Sequence, residues 1–157
     1  MKKFAVLLAV AITAVGAATA IAGSTPWVKT GKTSLGTVLT NAHGRTLYML
    51  NGETKSKLLC KSSSCTSNWP PLMASGKALA AGGAKTSSLG TIARGSGKQV
   101  TYNGHPVYTF AGDTKAGQAT GEAVKADGGT WYAVSPKGTA MTASAGSTSG
   151  GSTGTGW

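Results

Sequence analysis

The stretch that decides the fold is GHPVYTFAGDTK, residues 104–115, because the chain carries a second version of it as GRTLYMLNGETK, residues 44–55. The two agree in glycine spacing, in the position of the aromatic residue, in the acid five residues later and in the closing Thr-Lys. A second match, SLGTV at 34–38 and SLGTI at 88–92, occurs in the same order. Two collinear matches predict tandem repeats, which we place at residues 34–72 and 88–137.

The segments around these matches favour strands. They are short, rich in valine, threonine and aromatic residues, and separated by turn dipeptides. Asn103-Gly104 predicts a tight hairpin, and the one helix candidate, Ser75–Ala81, is weakened by its glycine. We therefore expect a small, compact all-β domain built from two related repeats. The strand candidates are Gly36–Thr40, Arg45–Leu50, Gln99–Tyr102, Pro106–Phe110 and Thr130–Val134.

Two further segments differ in composition from the repeats. Residues 73–87 are rich in alanine, glycine and lysine and are interpreted as a linker. Residues 138–157 are glycine, serine, threonine and alanine apart from Met141 and Trp157, and such a segment buries too little apolar surface to offset its ordering entropy. We expect a disordered tail, either a spacer, a glycosylated stalk or an unconstrained end.

The N-terminus has the order of a secretory signal peptide: a basic start, an apolar run and small residues. Lys2 and Lys3 are followed by an uncharged stretch to Ala22, and cleavage fits after Ala20 or Ala22. Residues 1–22 are therefore expected to direct the protein to a secreted or periplasmic location. The alternative is an uncut anchor, since the run is long enough to span a bilayer if it is not cleaved; the membrane would then be reached through this segment only.

The composition is strongly basic. Fifteen Lys and Arg face four Asp and Glu, a formal net charge of +11. The basic residues are spread without the dense runs of nucleic-acid-binding segments, so no nucleic-acid partner is expected. Attraction to an anionic cell-envelope component is one interpretation, and a merely soluble basic surface is the other. The oligomeric state is left open.

Cys60 and Cys65 are the two cysteines of a chain with the features of an exported protein, and this context favours a disulfide. Their spacing lacks the C-x2-C pattern of zinc knuckles and thioredoxin-like motifs. Pro70 and Pro71 fix an extended path after the cysteine loop, and Trp69 is expected to pack beside the disulfide. Residues given a packing role are Trp69, Pro70, Pro71 and Trp131.

Each repeat places an acid five residues after a tyrosine, as Tyr48 and Glu53 and as Tyr108 and Asp113. We expect structural roles: the tyrosines, with Phe110, pack on the sheet, and the acids accept hydrogen bonds at turns. The alternative is a carboxylate pair that binds a cation or a sugar.

Signatures of catalysis are missing from the sequence. It contains no G-x-S-x-G, H-E-x-x-H or phosphate-loop motif, and the turn residues His43 and His105 are a weak case for a metal pair. We expect no catalytic residue, no metal and no cofactor, and hence a non-enzymatic binding or structural module. The rival is a metal-binding or redox-active envelope protein or enzyme.

Several of these motifs together resemble a known family. They are the cysteine loop followed by NWPPL at 68–72, VTYNGHPVYTF at 100–110 with Asp113, and GGTW at 128–131. The chain is similar, over residues 34–136, to the bacterial "secreted repeat of unknown function", described as lipoproteins with a Yx(FWY)xxD motif. Residues 108–113 fit that motif in full, whereas the first copy has Leu50 for the aromatic and Glu53 for the aspartate. The resemblance implies organisation and location but no activity.

The first prediction concerns export. N-terminal sequencing of protein recovered from medium or periplasm should begin at Gly23 or Ile21, because the small residues before these positions suit signal-peptide cleavage. Intact Met1 on membrane-bound protein would show that the segment is an anchor.

Overall fold

The computed structural model describes residues 27–142, and these form several small sheets with one short helix. The all-β class predicted from the sequence is confirmed. The helix α1 is Ser63–Asn68, and a 3-10 turn covers Thr86–Ser88. The strands are β1 Trp27–Thr33, β2 Gly36–Thr40, β3 Tyr48–Leu50, β4 Met73–Ala74, β5 Leu79–Ala80, β6 Leu89–Arg94, β7 Gly97–Tyr102, β8 His105–Pro106, β9 Lys125–Ala126 and β10 Gly129–Ala133.

Three sheets hold these strands, in the orders β2-β1-β5, β3-β10-β9 and β4-β7-β6, with β8 also paired to β7. The strand pairs are antiparallel except β1 with β5. The hairpin predicted at Asn103-Gly104 joins β7 to β8. Both turn residues have positive φ, 49° and 81°, as a two-residue turn that matches the strand twist requires.

The two copies of the motif meet at their tyrosines. The Tyr48 N–H donates to the Tyr108 carbonyl at 2.8 Å, and the Tyr108 N–H donates to the Tyr48 carbonyl at 3.0 Å. Residues that exchange both hydrogen bonds in this way lie directly opposite each other. Equivalent positions of the two repeats are therefore neighbours in space, which brings the side chains that follow them close together.

Two buried clusters form the core, and the alternation of side chains along the strands explains the division. In β3, Met49 faces one cluster while Tyr48 and Leu50 face the other. In β2, Leu39 and Val38 divide in the same way. The first cluster is completed by Val28, Leu47, Ala78, Val100, Tyr102, Val107 and Val134, and the second by Cys60, Cys65, Trp69, Tyr108, Trp131 and Ala133.

The predicted disulfide between Cys60 and Cys65 is present, with the two Cα atoms 5.5 Å apart. Helix α1 starts inside its loop, where the Ser62 hydroxyl caps the Cys65 N–H at 3.2 Å. By the chain-entropy relation, closing a loop this short stabilises the fold by roughly 2 kcal/mol. The buried disulfide fixes the chain just before Trp69 enters the second cluster.

The segment predicted as a linker, residues 73–87, contributes two short strands to the sheets. Met73–Ala74 pairs with β7, Leu79–Ala80 pairs with β1, and Ala78 is buried. The helix proposed for Ser75–Ala81 does not form there. Two-residue strands are too short to give an alternating pattern, and their pairing depends on edges supplied by distant strands.

Other boundaries also differ from the predictions. The candidate Pro106–Phe110 is a strand only at its start, and β1 was not predicted, because its two lysines and Gly31 obscure the alternation. Residues 138–142 of the proposed disordered tail are placed against the domain, since Ala140 pairs with Val134 and the Met141 N–H donates to the Ala133 carbonyl at 2.7 Å. The remainder of the tail and the predicted signal segment 1–22 lie outside the described residues. Within residues 27–142, no helix is long and apolar enough to cross a membrane.

Candidate functional site

Both repeat acids lie at turns that follow their motif tyrosines, and both side chains point into the protein. The Glu53 N–H donates to the Leu50 carbonyl at 3.1 Å, and the Asp113 N–H donates to the Phe110 carbonyl at 3.2 Å. These matching turns aim the two carboxylates inward, where Glu53 is 1% exposed and Asp113 is 0% exposed. Burial of a carboxylate is costly unless hydrogen bonds compensate for the lost hydration, so the donors around each acid decide what the site is.

Asp113 accepts three hydrogen bonds. Its Oδ1 accepts from the Thr120 N–H at 2.9 Å and from the Thr120 hydroxyl at 2.6 Å. Its Oδ2 accepts from the Tyr48 hydroxyl at 2.6 Å. The tyrosine partner therefore comes from the other repeat, although Tyr108 lies in the same motif as Asp113.

Glu53 is held in the same manner. Its Oε1 accepts from the backbone N–H groups of Leu59 and Cys60 at 2.6 and 2.8 Å. Its Oε2 accepts from the Tyr108 hydroxyl at 2.9 Å. The two hydroxyl–carboxylate bonds thus cross between the repeats, and we call Tyr48–Asp113 and Tyr108–Glu53 the crossed pairs.

Burial raises the pKa of both tyrosines, and the adjacent carboxylates raise it further. For Tyr108 the burial of the phenol and the charge and hydrogen bond of Glu53 raise the pKa to about 12, against an opposing effect of Arg94. For Tyr48 the pKa is raised well above its ordinary value by burial and by the hydrogen bond to Asp113. Both phenols are therefore neutral hydrogen-bond donors at physiological pH.

Arg94 belongs to the same network and was missed by the sequence analysis. Its Nη1 donates to the Tyr108 hydroxyl at 3.0 Å and to Gln99 Oε1 at 2.8 Å, while Nη2 donates to the Cys60 carbonyl. Its guanidinium carbon lies 5.5 Å from the centroid of the Tyr108 ring. The sequence places Arg94 at the end of a run typical of a strand, and this position does not show that the side chain faces inward.

A stack of aromatic rings packs beside the crossed pairs. Trp69 and Trp131 stack with centroids 4.0 Å apart and planes at 7°, and Phe110 stacks on Trp69 at 4.4 Å. Tyr48 meets Trp69 edge-on at 5.4 Å, as Tyr108 meets Trp131 at 5.0 Å. Offset and edge-to-face contacts of this kind add to the stabilisation from burial.

Backbone contacts hold the remaining predicted packing residues in place. Pro71 forms a β-bridge with Tyr108, and the Pro70 carbonyl accepts from the Thr109 N–H at 2.9 Å; both prolines are half-buried. A Cβ at Gly121 would lie 2.7 Å from the Trp69 ring, so the close approach requires glycine there.

The two histidines do not form a pair. His43 is exposed beside Asn41, which accepts its backbone N–H, whereas His105 Nδ1 lies 3.1 Å from the Glu53 carbonyl oxygen. Among residues 27–142 there is no group of three or more His, Cys, Asp or Glu side chains placed to hold a metal ion. The carboxylates that the alternative hypothesis assigned to a cation or a sugar are bonded to protein donors instead.

The surface that remains is nearly free of negative charge. Glu122 is half-buried, its carboxylate accepts the Ala133 N–H at 2.7 Å, and burial raises its pKa. Asp127 is the one exposed acid among the described residues. The exposed basic residues in that part of the chain are Lys32, Lys55, Lys57, Lys61, Lys77, Lys85, Lys98, Lys115, Lys125 and Lys137.

Comparison with known families addresses the resemblance inferred from the motifs. Residues 90–135 match the family model described as a secreted repeat of unknown function. The predicted family is therefore confirmed for this segment, which contains Tyr108, Asp113 and Trp131. The description places the family outside the cytoplasm and names no activity. No curated protein and no solved structure gives a match to the chain.

The structural role of the acids can be tested by isosteric substitution. Asp113→Asn should lower the free energy of unfolding by about 1–3 kcal/mol, because an amide group replaces acceptors of three buried hydrogen bonds. Glu53→Gln should have a similar effect. Asp127→Asn, at an exposed position, is the matched control and should change stability by less than about 0.5 kcal/mol. Urea unfolding measures all three, and an Asp113→Asn protein as stable as wild type would contradict the structural role.

The raised tyrosine pKa values predict how stability responds to alkali. A phenol with a raised folded-state pKa contributes stability that is complete below its unfolded pKa and is lost as pH rises through the folded value. For Tyr108 that loss should fall between about pH 10 and pH 12. Tyrosinate absorbance during a pH titration should show late ionisation of Tyr48 and Tyr108, and Tyr108→Phe should remove the part near pH 12. An identical titration of the variant would mean that the Tyr108 phenol is not perturbed.

Proposed function

We propose that this protein is a secreted, non-enzymatic module that binds an anionic component of the cell envelope. The observation that carries the proposal is the contrast between ten exposed lysines and a single exposed acid, Asp127, in residues 27–142. The composition alone understates this contrast, because Glu53 and Asp113 are buried in the core.

A surface that is positively charged over most of its area attracts polyanions before any specific contact forms. Lysines near an anionic lipid surface each contribute about 1 kcal/mol to binding, and the attraction decays within a Debye length. Because the lysines are spread over several loops and strands, the arrangement favours an extended anionic surface over a small ligand. It also lacks the dense basic runs that favour nucleic acid.

The non-enzymatic part of the proposal rests on how the polar groups are used. The two carboxylates best placed for acid–base chemistry each accept hydrogen bonds from three protein donors. Both tyrosine hydroxyls donate to those carboxylates and carry raised pKa values. A general acid or base needs a pKa near the working pH and access to substrate, and this buried network favours a scaffold over a catalytic centre.

Vesicle co-sedimentation tests the proposal. The protein should bind vesicles that contain phosphatidylglycerol and not vesicles of phosphatidylcholine alone, and the bound fraction should fall as salt shortens the Debye length from about 10 Å at 0.1 M to about 3 Å at 1 M. A variant with Lys55, Lys57 and Lys61 changed to glutamine should bind less, while the same three positions changed to arginine should bind as wild type.

Two results would contradict the proposal. Equal binding to neutral vesicles would show that charge is not the determinant. Binding to duplex DNA at protein concentrations too low for binding to envelope fractions would point to a nucleic-acid partner instead.

A further inference from the structure

Strand β6 is the outer strand of its sheet. It pairs with β7 along its whole length, from Leu89 opposite Tyr102 to Arg94 opposite Gly97. Within the described part of the chain no strand pairs with its other side. An outer strand of this length offers backbone donors and acceptors to another chain unless the protein protects it.

The register shows which residues offer those groups. Antiparallel pairs alternate between positions that exchange hydrogen bonds and positions that do not. The two-residue turn is closed by the hydrogen-bonded pair Arg94 and Gly97. Beyond the other end of the strand, the Asn103 N–H donates to the Ser88 carbonyl at 2.7 Å. Ser88 and Arg94 are an even number of residues apart, so both contacts belong to the same alternating set. Arg94, Ile92 and Gly90 therefore bond to β7, and Thr91 and Ala93 direct their N–H and C=O groups to the outer edge. Leu89 offers only its carbonyl there, because its N–H donates to the Thr86 carbonyl of the 3-10 turn.

The side chains of Leu89, Thr91 and Ala93 share one face of the sheet with Lys98 and Ala74, and these residues line a cleft of about 740 Å³ on that face. Its charged lining residues are Lys77 and Lys98, both exposed, and no acid contributes to it. The other lining residues are glycine, alanine, serine or threonine, whose small side chains leave room for side chains of a strand added beside β6. The cleft therefore places space and positive charge on the sheet face next to the open edge.

Proline and lysine, two residues that often protect an edge strand, are missing from β6. Its one charged side chain is Arg94 at the last residue of the strand, and it is turned inward onto Tyr108 and the Cys60 carbonyl. Proteins that recognise extended peptides by strand addition use this combination of an open edge and flanking side-chain contacts.

We infer that the outer edge of β6 takes up an extended acidic peptide segment as an additional strand. Backbone pairing with Thr91 and Ala93, and with the Leu89 carbonyl, supplies the direction and register, and Lys77 and Lys98 select acidic side chains. A second copy of this basic chain is disfavoured by repulsion, and residues 143–157 contain no charged residue to complement the lysines. This site is independent of the binding to an anionic envelope component, which rests on the whole lysine-rich surface.

Fluorescence anisotropy tests the inference with a labelled synthetic peptide that alternates glutamate and valine. A version with N-methyl groups on alternate residues keeps the charge but cannot pair as a strand, and it should bind about tenfold or more weakly, since several backbone hydrogen bonds are lost. Thr91→Pro should weaken binding similarly, because proline removes an outward N–H and leaves the bonds to β7 in place. Changing Lys77 and Lys98 to glutamine should also weaken binding, whereas changing the matched exposed pair Lys125 and Lys137 should not.

Thermal melts establish that each variant is folded, and the N-methylated peptide tests strand pairing on the wild-type protein. Equal binding of the methylated and unmethylated peptides, or no binding of either, would overturn the inference. So would a dimer in sedimentation that Thr91→Pro dissociates, or a gain in peptide affinity when residues 143–157 are removed, because each would assign the edge to another occupant. Vesicle binding by Thr91→Pro should equal that of wild type, which separates this site from the proposed function.

Discussion

The fold depends on the crossed hydrogen bonds between the tyrosines of each repeat and the carboxylates of the other. A buried carboxylate with missing donors is among the costliest defects in a protein interior. Neither repeat can supply all the donors for its own acid, since Glu53 requires Tyr108 and Asp113 requires Tyr48. Each half of the domain therefore completes the other, and the mutual backbone pairing of the two tyrosines fixes the geometry in which this is possible.

This use of the acids links the core to the surface. A chain with four acids that buries two of them and half-buries a third has an exterior dominated by lysine. Because the core takes up two of the acids, they do not offset the positive charge of the surface. Removing either carboxylate from the core would change the stability of the fold without changing the exposed charge. Stability and surface binding can therefore be separated experimentally, although both originate in the same small set of acids.

The sequence predicted features that are set locally. The Asn103-Gly104 hairpin forms because its residues adopt positive φ, and β2 has the predicted bounds because Gly36–Thr40 is a short run rich in threonine and valine. The sequence did not reveal β4 and β5, since two-residue strands exist only through distant partners. Residue spacing along the chain also does not show which groups bond to each other. The five-residue spacing from tyrosine to acid suggested a local unit, whereas the hydrogen bonds run between the two copies of the motif. Arg94 was missed for the same reason, because its inward direction depends on Tyr108 and Cys60.

The departure of the first repeat from the family motif has a physical explanation in this arrangement. Both acids accept a backbone N–H from the residue seven positions later, Cys60 for Glu53 and Thr120 for Asp113. In the second copy a threonine hydroxyl provides an additional donor to the short aspartate. In the first copy that position is a cysteine engaged in the disulfide, and the longer glutamate instead spans two successive N–H groups of the cysteine loop. Glutamate at position 53 is therefore the side chain suited to a loop that the disulfide has already closed, and the two copies reach the same count of three hydrogen bonds by different routes.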